Sequence, residues 1–201
     1  MKGLFKSFVG AALIGSTIVA EANTQFPLRM DIDVSTRRNT RNIGAGSSGS
    51  ARVENVSLRI RIRRASGSPN SQPLSAEVYV IGRQIHTGYY GIIDVVKKDF
   101  NFSEERLFEF TTREYALGRT DGNINVGGTY ETFLVVVADE NGKILDHRSG
   151  RAIRQEGIDF IRELGPSTLF DRDGNVVGKV EEKNSAFKAA VPAATNPGSN
   201  N

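Results

Sequence analysis

The sequence has no cysteine and no tryptophan, and only two histidines, two methionines and six prolines among 201 residues. Without thiols there are no disulfides, no thiol catalysis, no iron–sulfur clusters, no thiolate zinc sites and no lipidated N-terminal cysteine. Stability must therefore come from core burial, which this length permits. The two histidines, His86 and His147, stand apart, and neither Gly-x-Ser-x-Gly nor His-Glu-x-x-His occurs. Both are read as surface or sheet residues. The missing tryptophan removes the best stacking platform for sugar rings or nucleic-acid bases. A strong charge excess is also absent: 26 Lys+Arg against 23 Asp+Glu leaves +3. So balanced a chain does not by its total charge point to nucleic acid or an anionic membrane.

Long apolar runs are limited to one, and it lies at the start. Lys2 and Lys6 precede an apolar stretch from Phe8 to Ala20, and Ala20-Glu21-Ala22 supplies a small-x-small cleavage pattern. This is the layout of a signal peptide, with cleavage expected before Asn23. The run is short for a bilayer span, so no membrane insertion is expected after cleavage. Removing 22 residues from 201 leaves 179, and 24 basic against 22 acidic residues, a net of +2. That is one ordinary domain, read here as 23–183, followed by an Ala/Pro/Asn/Gly-rich tail, 184–201.

Period-two alternation dominates the domain. Leu28 to Val34 has an apolar residue at every second position, and Val53 to Arg64 sets Val56, Leu58, Ile60 and Ile62 against Ser57, Arg59, Arg61 and Arg63. Further strand patterns lie at 74–85, 92–96, 106–112, 144–147, 168–170 and 176–180. Tyr130 to Ala138 is apolar on both faces, as in a central strand. Asp139-Glu140-Asn141-Gly142 and Asp173-Gly174-Asn175 are hairpin turns. The expected fold is all-β: an antiparallel β-sandwich of about seven or eight strands, immunoglobulin/fibronectin-like in architecture. Residues 152–164 break the rhythm at helical spacing before Gly165-Pro166, and predict one short helix on the sandwich edge. Gly44 to Gly49, within a flexible Gly/Ser loop spanning 42–50, lacks the Lys-Ser/Thr of a phosphate cradle.

Charge is segregated along the chain. Between Val34 and Ala76 eight arginines face Glu54 alone, a net of +7, whereas Glu77 to His147 holds twelve acidic against seven basic residues, a net of −5. Arg59, Arg61, Arg63 and Arg64 are thus candidate binding residues for a polyanion, since guanidinium forks suit carboxylates and phosphates. The competing reading pairs them with acidic residues across strands. Tyr89-Tyr90, between Gly88 and Gly91, is the candidate exposed aromatic pair. Asp171, Asp173 and Asn175 echo a calcium loop, but Val176 stands where such a loop needs glycine, and a hairpin turn explains them. Glu104, Glu105, Glu109, Glu114 and Glu131 are carboxylates available for glycoside chemistry, without a motif that selects a pair.

These features describe an exported bacterial protein, periplasmic or extracellular and non-enzymatic. It would act in macromolecular binding or in surface and envelope assembly. The alternative is a carbohydrate-active enzyme or a glycan- or polyanion-binding accessory module. No catalytic residue, cofactor or metal is implied. The expected partners are a protein or an anionic glycan before nucleic acid, and the segregated charges also allow self-association. Intact mass spectrometry of the exported protein should give a chain beginning at Asn23; a form retaining Met1 would contradict the cleavage reading.

Overall fold

The computed structural model describes residues 28–42, 50–64, 72–102, 106–121 and 127–180. The expected leader (1–22), the tail (184–201) and the interior of the Gly/Ser loop lie outside the described residues. Within them the chain is an all-β antiparallel sandwich with one helix. One sheet contains β1 (Leu28–Asn42), β2 (Ser50–Arg64), β5 (Leu107–Thr111) and β6 (Tyr115–Asp121). In it β1 lies on one side of β2, while β5 and β6 lie end to end on the other. The second sheet has the order β10 (Val176–Lys179), β9 (Thr168–Phe170), β4 (Tyr90–Phe100), β3 (Leu74–Gln84), β7 (Gly128–Asp139), β8 (Ile144–Ser149). The helix α1 spans Gln155–Glu163.

Ten strands stand where seven or eight are expected, and two local differences from the sequence pattern add one strand and lengthen another. The run at 106–112 does not end the pairing with β2. Thr112 interrupts it, its Oγ1 accepting the Leu58 N–H at 3.0 Å in place of a strand carbonyl, and β6 then resumes along β2. The β1–β2 ladder also continues past Val34 to Asn42 in unbroken register. Residues 35–40 there are polar and exposed, so no alternation marks them.

The alternating faces close two cores. Val56, Leu58, Ile60 and Ile62 of β2 pack between the sheets against Val78, Val80, Val135 and Val137. The opposite face of the six-stranded sheet is equally apolar, with Tyr79, Ile81, Ile92, Leu134 and Val136, and it takes Ile158, Ile161 and Leu164 from the helical segment. The helix therefore lies on the outer face of this sheet, and not on the sandwich edge as expected: five apolar side chains need cover, each fully buried one being worth about 2 kcal/mol. At Gly157, which weakens helix propensity, a Cβ would lie 2.9 Å from Ile153 Cγ2 and force that side chain to shift.

One charged group sits inside this outer core. Glu77, on β3, is 8% exposed and is held by Arg162 of α1 (Nε to Oε2, 3.0 Å), by the Tyr79 hydroxyl, which donates at 3.1 Å, and by Lys97 Nζ at 3.5 Å. Burial pushes its carboxyl up, but the Arg162 fork, the Tyr79 hydroxyl and the Lys97 charge outweigh burial and hold it below the usual range. The phenol of Tyr79 is pushed up to about 12, by burial first and then by the Glu77 charge.

Arg162→Ala should destabilise the protein by about 2–4 kcal/mol in denaturant titration, because it strands a buried carboxylate. A carboxyl whose pKa is lowered on folding stabilises above its ordinary value of 4.5 and loses that contribution as pH falls. The stability gap between wild type and Glu77→Gln should accordingly narrow below pH 4.5; a gap independent of pH would contradict the role given to the carboxylate.

Candidate functional site

The outer face of the six-stranded sheet is only partly covered by α1. Between the helix and the β9–β10 turn runs an open groove of roughly 560 Å³. Its floor and walls are apolar: Ile81, Ile153, Phe160, Ile161 and the rings of Tyr90 and Phe170. Tyr90 and Phe170 stack at 5.6 Å between centroids, and Phe160 meets Phe170 edge-on at 5.6 Å.

The floor is shaped by two irregularities flanking Ile81. On one side, β4 carries an extra residue, Ile93, between the pairs Val80–Asp94 and Ile81–Ile92. On the other, β7 carries Glu131 as the extra residue between Ile81–Thr132 and Gly82–Tyr130. Such bulges increase local twist and redirect side chains. Strict alternation from Phe133, which faces the inner core, would turn Glu131 inward. The bulge instead brings Glu131 into the groove beside Thr132, which alternation already directs outward, and turns Tyr130 toward the inner core.

Glu131 and Thr132 close one end of the groove. The Glu131 side chain is 10% exposed and pairs with the Arg151 guanidinium, although its Oε1 lies outside hydrogen-bond geometry. Thr132 is 8% exposed, and its Oγ1 has no hydrogen-bond partner. A buried hydroxyl without a partner costs about 1–3 kcal/mol, so the fold alone gives no reason to keep it. Gly150 permits the arrangement: a Cβ at that position would come within 2.8 Å of Thr132 Oγ1 and 3.2 Å of Phe133 Cε1. Four carboxylates (Glu131, Glu156, Asp171, Asp173) and two guanidiniums (Arg151, Arg172) line the groove, a difference of two negative charges.

Of the residues singled out in the sequence, Tyr90, Glu131, Asp171 and Asp173 meet in the groove, and the others lie elsewhere. Arg59, Arg61 and Arg63 share the solvent face of β2, but the ladder already engages two of them. Arg59 Nε donates to Glu109 at 2.8 Å, and Arg61 pairs with Asp33. Arg64 has the opposite parity and leaves the stripe, with Nε and Nη1 buried and unpartnered. Tyr89 and Tyr90 also separate: Tyr90 lines the groove under Arg83, whose guanidinium carbon lies 5.9 Å from the ring centroid, while Tyr89 is not among the lining residues. The other tyrosines belong to the cores, and burial pushes Tyr115 and Tyr130 up to about 12.

Asp171 Oδ1 accepts the N–H groups of Asp173 at 2.9 Å and Asn175 at 2.8 Å, and Oδ2 accepts Asn175 Nδ2 at 2.9 Å. These donors hold its carboxyl below the usual range, the Asn175 side chain most strongly. Both carboxylate oxygens of Asp171 are thus engaged in the turn. Among the described residues no group of three or more His, Cys, Asp or Glu could hold a metal.

Of the groove residues, Glu131 was visible only as one carboxylate among several. Thr132, Arg151, Phe160 and Phe170 carried no signal, because a bulge and a helix crossing bring them together.

No protein-family model matches the sequence, and no curated protein matches it. Among solved structures, the chain is similar to a crystal structure from Akkermansia muciniphila with 12% identity and a TM-score of 0.32, over 82% of this chain and 89% of that one. A likeness that faint carries nothing about the site.

Thr132→Val should leave the fold intact and raise its stability by about 0.5–1.5 kcal/mol, since it replaces an unpartnered hydroxyl by a methyl of the same shape. Gly150→Ala should cost about 1–3 kcal/mol through overpacking against Thr132 and Phe133. Urea unfolding of the two variants checks both signs.

Proposed function

We propose that this chain is an exported bacterial binding protein without catalytic activity, and that its ligand is a polypeptide segment seated in the outer-face groove. An aromatic or branched aliphatic side chain of the partner would lie among Tyr90, Phe160 and Phe170. A neighbouring basic group would donate into Glu131 and Thr132. The observation that carries the reading is the Thr132 hydroxyl, nine-tenths buried and unpartnered at the end of an apolar groove beside a nine-tenths buried carboxylate. Binding sites combine an apolar lining with a few convergent polar groups in this way. The excess of carboxylates along the groove favours a cationic ligand over an anionic glycan.

Export rests on the leader-like first 22 residues. No described helix is long and apolar enough to cross a membrane. The glycan-binding alternative retains one favourable feature, the half-buried Tyr90 ring in the groove wall. For the arginine stripe, the carboxylates on Arg59 and Arg61 weigh against polyanion binding.

Selection of a random peptide library on the purified protein should enrich segments with an aromatic or branched residue beside Lys or Arg. Ala152, exposed on the groove lining, offers a block that spares the core. Ala152→Trp should weaken the enriched peptides by at least about tenfold. Thr132→Val should weaken them while leaving the fold at least as stable. Peptides indifferent to Ala152→Trp, or no enrichment above background, would overturn the peptide reading, and retention on a neutral polysaccharide panel abolished by the same variant would install the glycan reading instead.

A further inference from the structure

We propose that β1 is a self-association edge, along which two copies join antiparallel about a two-fold axis to make one continuous sheet from their two four-stranded sheets. This is independent of the groove, which lies on the other sheet. β1 is 15 residues long, and among the described residues no strand pairs with its outer edge. Every second residue of such a strand directs its N–H and C=O away from its partner, a row of unmet hydrogen bonds. Edges are commonly blunted by proline, a bulge, brevity or charged side chains, and of these β1 carries only charge. β1 has no proline and pairs with β2 through 15 residue pairs without a register shift. The edge strands of the other sheet are much shorter, six residues in β8 and four in β10.

The charge order of β1 selects the partner and its direction. The outward-facing positions read Arg29, Asp31, Asp33, Ser35, Arg37, Asn39: net acidic in the first half, with two carboxylates to one guanidinium (Arg29, 3.6 Å from Asp31), and net basic in the second. Antiparallel pairing with a second copy brings each half opposite the other, whereas parallel pairing in register sets like on like. Arg37 is exposed and forms no ion pair among the described residues, so it is available to a neighbour.

Val34 selects the register. It is 37% exposed, an apolar side chain on the face that Met30 and Ile32 use to meet the core. A two-fold axis through Val34 covers it with its own counterpart. It also places Asp31 of each copy opposite Arg37 of the other, with no like charges facing. Centring on Asp33 sets that carboxylate against itself and Arg29 against Arg37, centring on Ser35 sets Val34 against Thr36, and centring on Thr36 sets Val34 against Arg38. Opposite charges directly across a ladder stabilise it and like charges destabilise it, and a two-fold doubles every term.

Sedimentation equilibrium of the purified protein over a concentration series tests this. The wild type should show a monomer–dimer equilibrium. Arg37→Asp and Asp31→Arg should each raise the dissociation constant by at least about tenfold, through two like-charge contacts apiece. An equimolar mixture of the two variants should recover dimer. In that mixed pair the native Asp31 of one variant faces the native Arg37 of the other, and the two substituted side chains, opposite in charge, face each other. Thermal unfolding of each variant separates lost association from lost fold. A wild type that stays monomeric throughout, or a mixture that dimerises no better than either variant alone, would overturn the proposal.

Discussion

The outer half of the molecule depends on a single buried carboxylate. Glu77 sits mid-strand on the face of β3 where Tyr79 and Ile81 are apolar, and α1 is bound to it through Arg162. An unpaired charge in that position would oppose burial by several kcal/mol. Paired, it specifies where the helix must lie, because the guanidinium fork reaches both carboxylate oxygens from one direction. The apolar contacts of Ile158 and Ile161 supply attraction but tolerate sliding. The Glu77–Arg162 contact ties the helix to one place on the sheet and so leaves the neighbouring strip of sheet uncovered, which is the groove.

The groove and the arginine ladder illustrate opposite treatments of polarity. On β2, charge is matched as it is laid down: Arg59 with Glu109 and Arg61 with Asp33 hold a two-faced sheet in water without favouring any ligand. At Glu131 and Thr132 polarity is buried and left incomplete, at a cost to stability with no structural return. A partner supplying the missing donors would recover that cost on binding. The electrostatic signal most prominent in the sequence thus belongs mainly to the solvated ladder, where Arg61 Nε and Arg64 Nε and Nη1 are left unpartnered, while in the groove the unmet groups are Glu131 Oε1 and an uncharged threonine hydroxyl.

Much of the fold was legible because alternation leaves its mark wherever one face is buried. The inward residues of β2, the doubly apolar β7 and the Asp-x-x-Gly turns at 139–142 and 171–174 all follow from residue type and spacing. Legibility ended where the environment changed along an element. The distal part of β1 has water on both faces, so its ladder leaves no periodic trace, and β6 hides behind Ala116 and Gly118. The helix was legible, but its seat was not, since the apolar outer residues of β3 and β7 admitted any covering layer. The site was least legible of all. Its end wall needs a bulge, and nothing in Tyr130-Glu131-Thr132 distinguishes a bulge from regular pairing.

That bulge gives β7 two phases of alternation joined at one residue. Side chains on one side of Glu131 follow the parity set by Phe133, and those on the other side follow the reverse. The faces on either side are therefore set by residue count as well as by residue type. Loss of Glu131 would remove the bulge and leave Tyr130 and Phe133 both toward the inner core, because the residue lost is the one that β3 does not match. The groove would lose its carboxylate while the inner core kept its ring. An inserted residue of this kind adds a group to one face of a sheet without displacing the residues of the other.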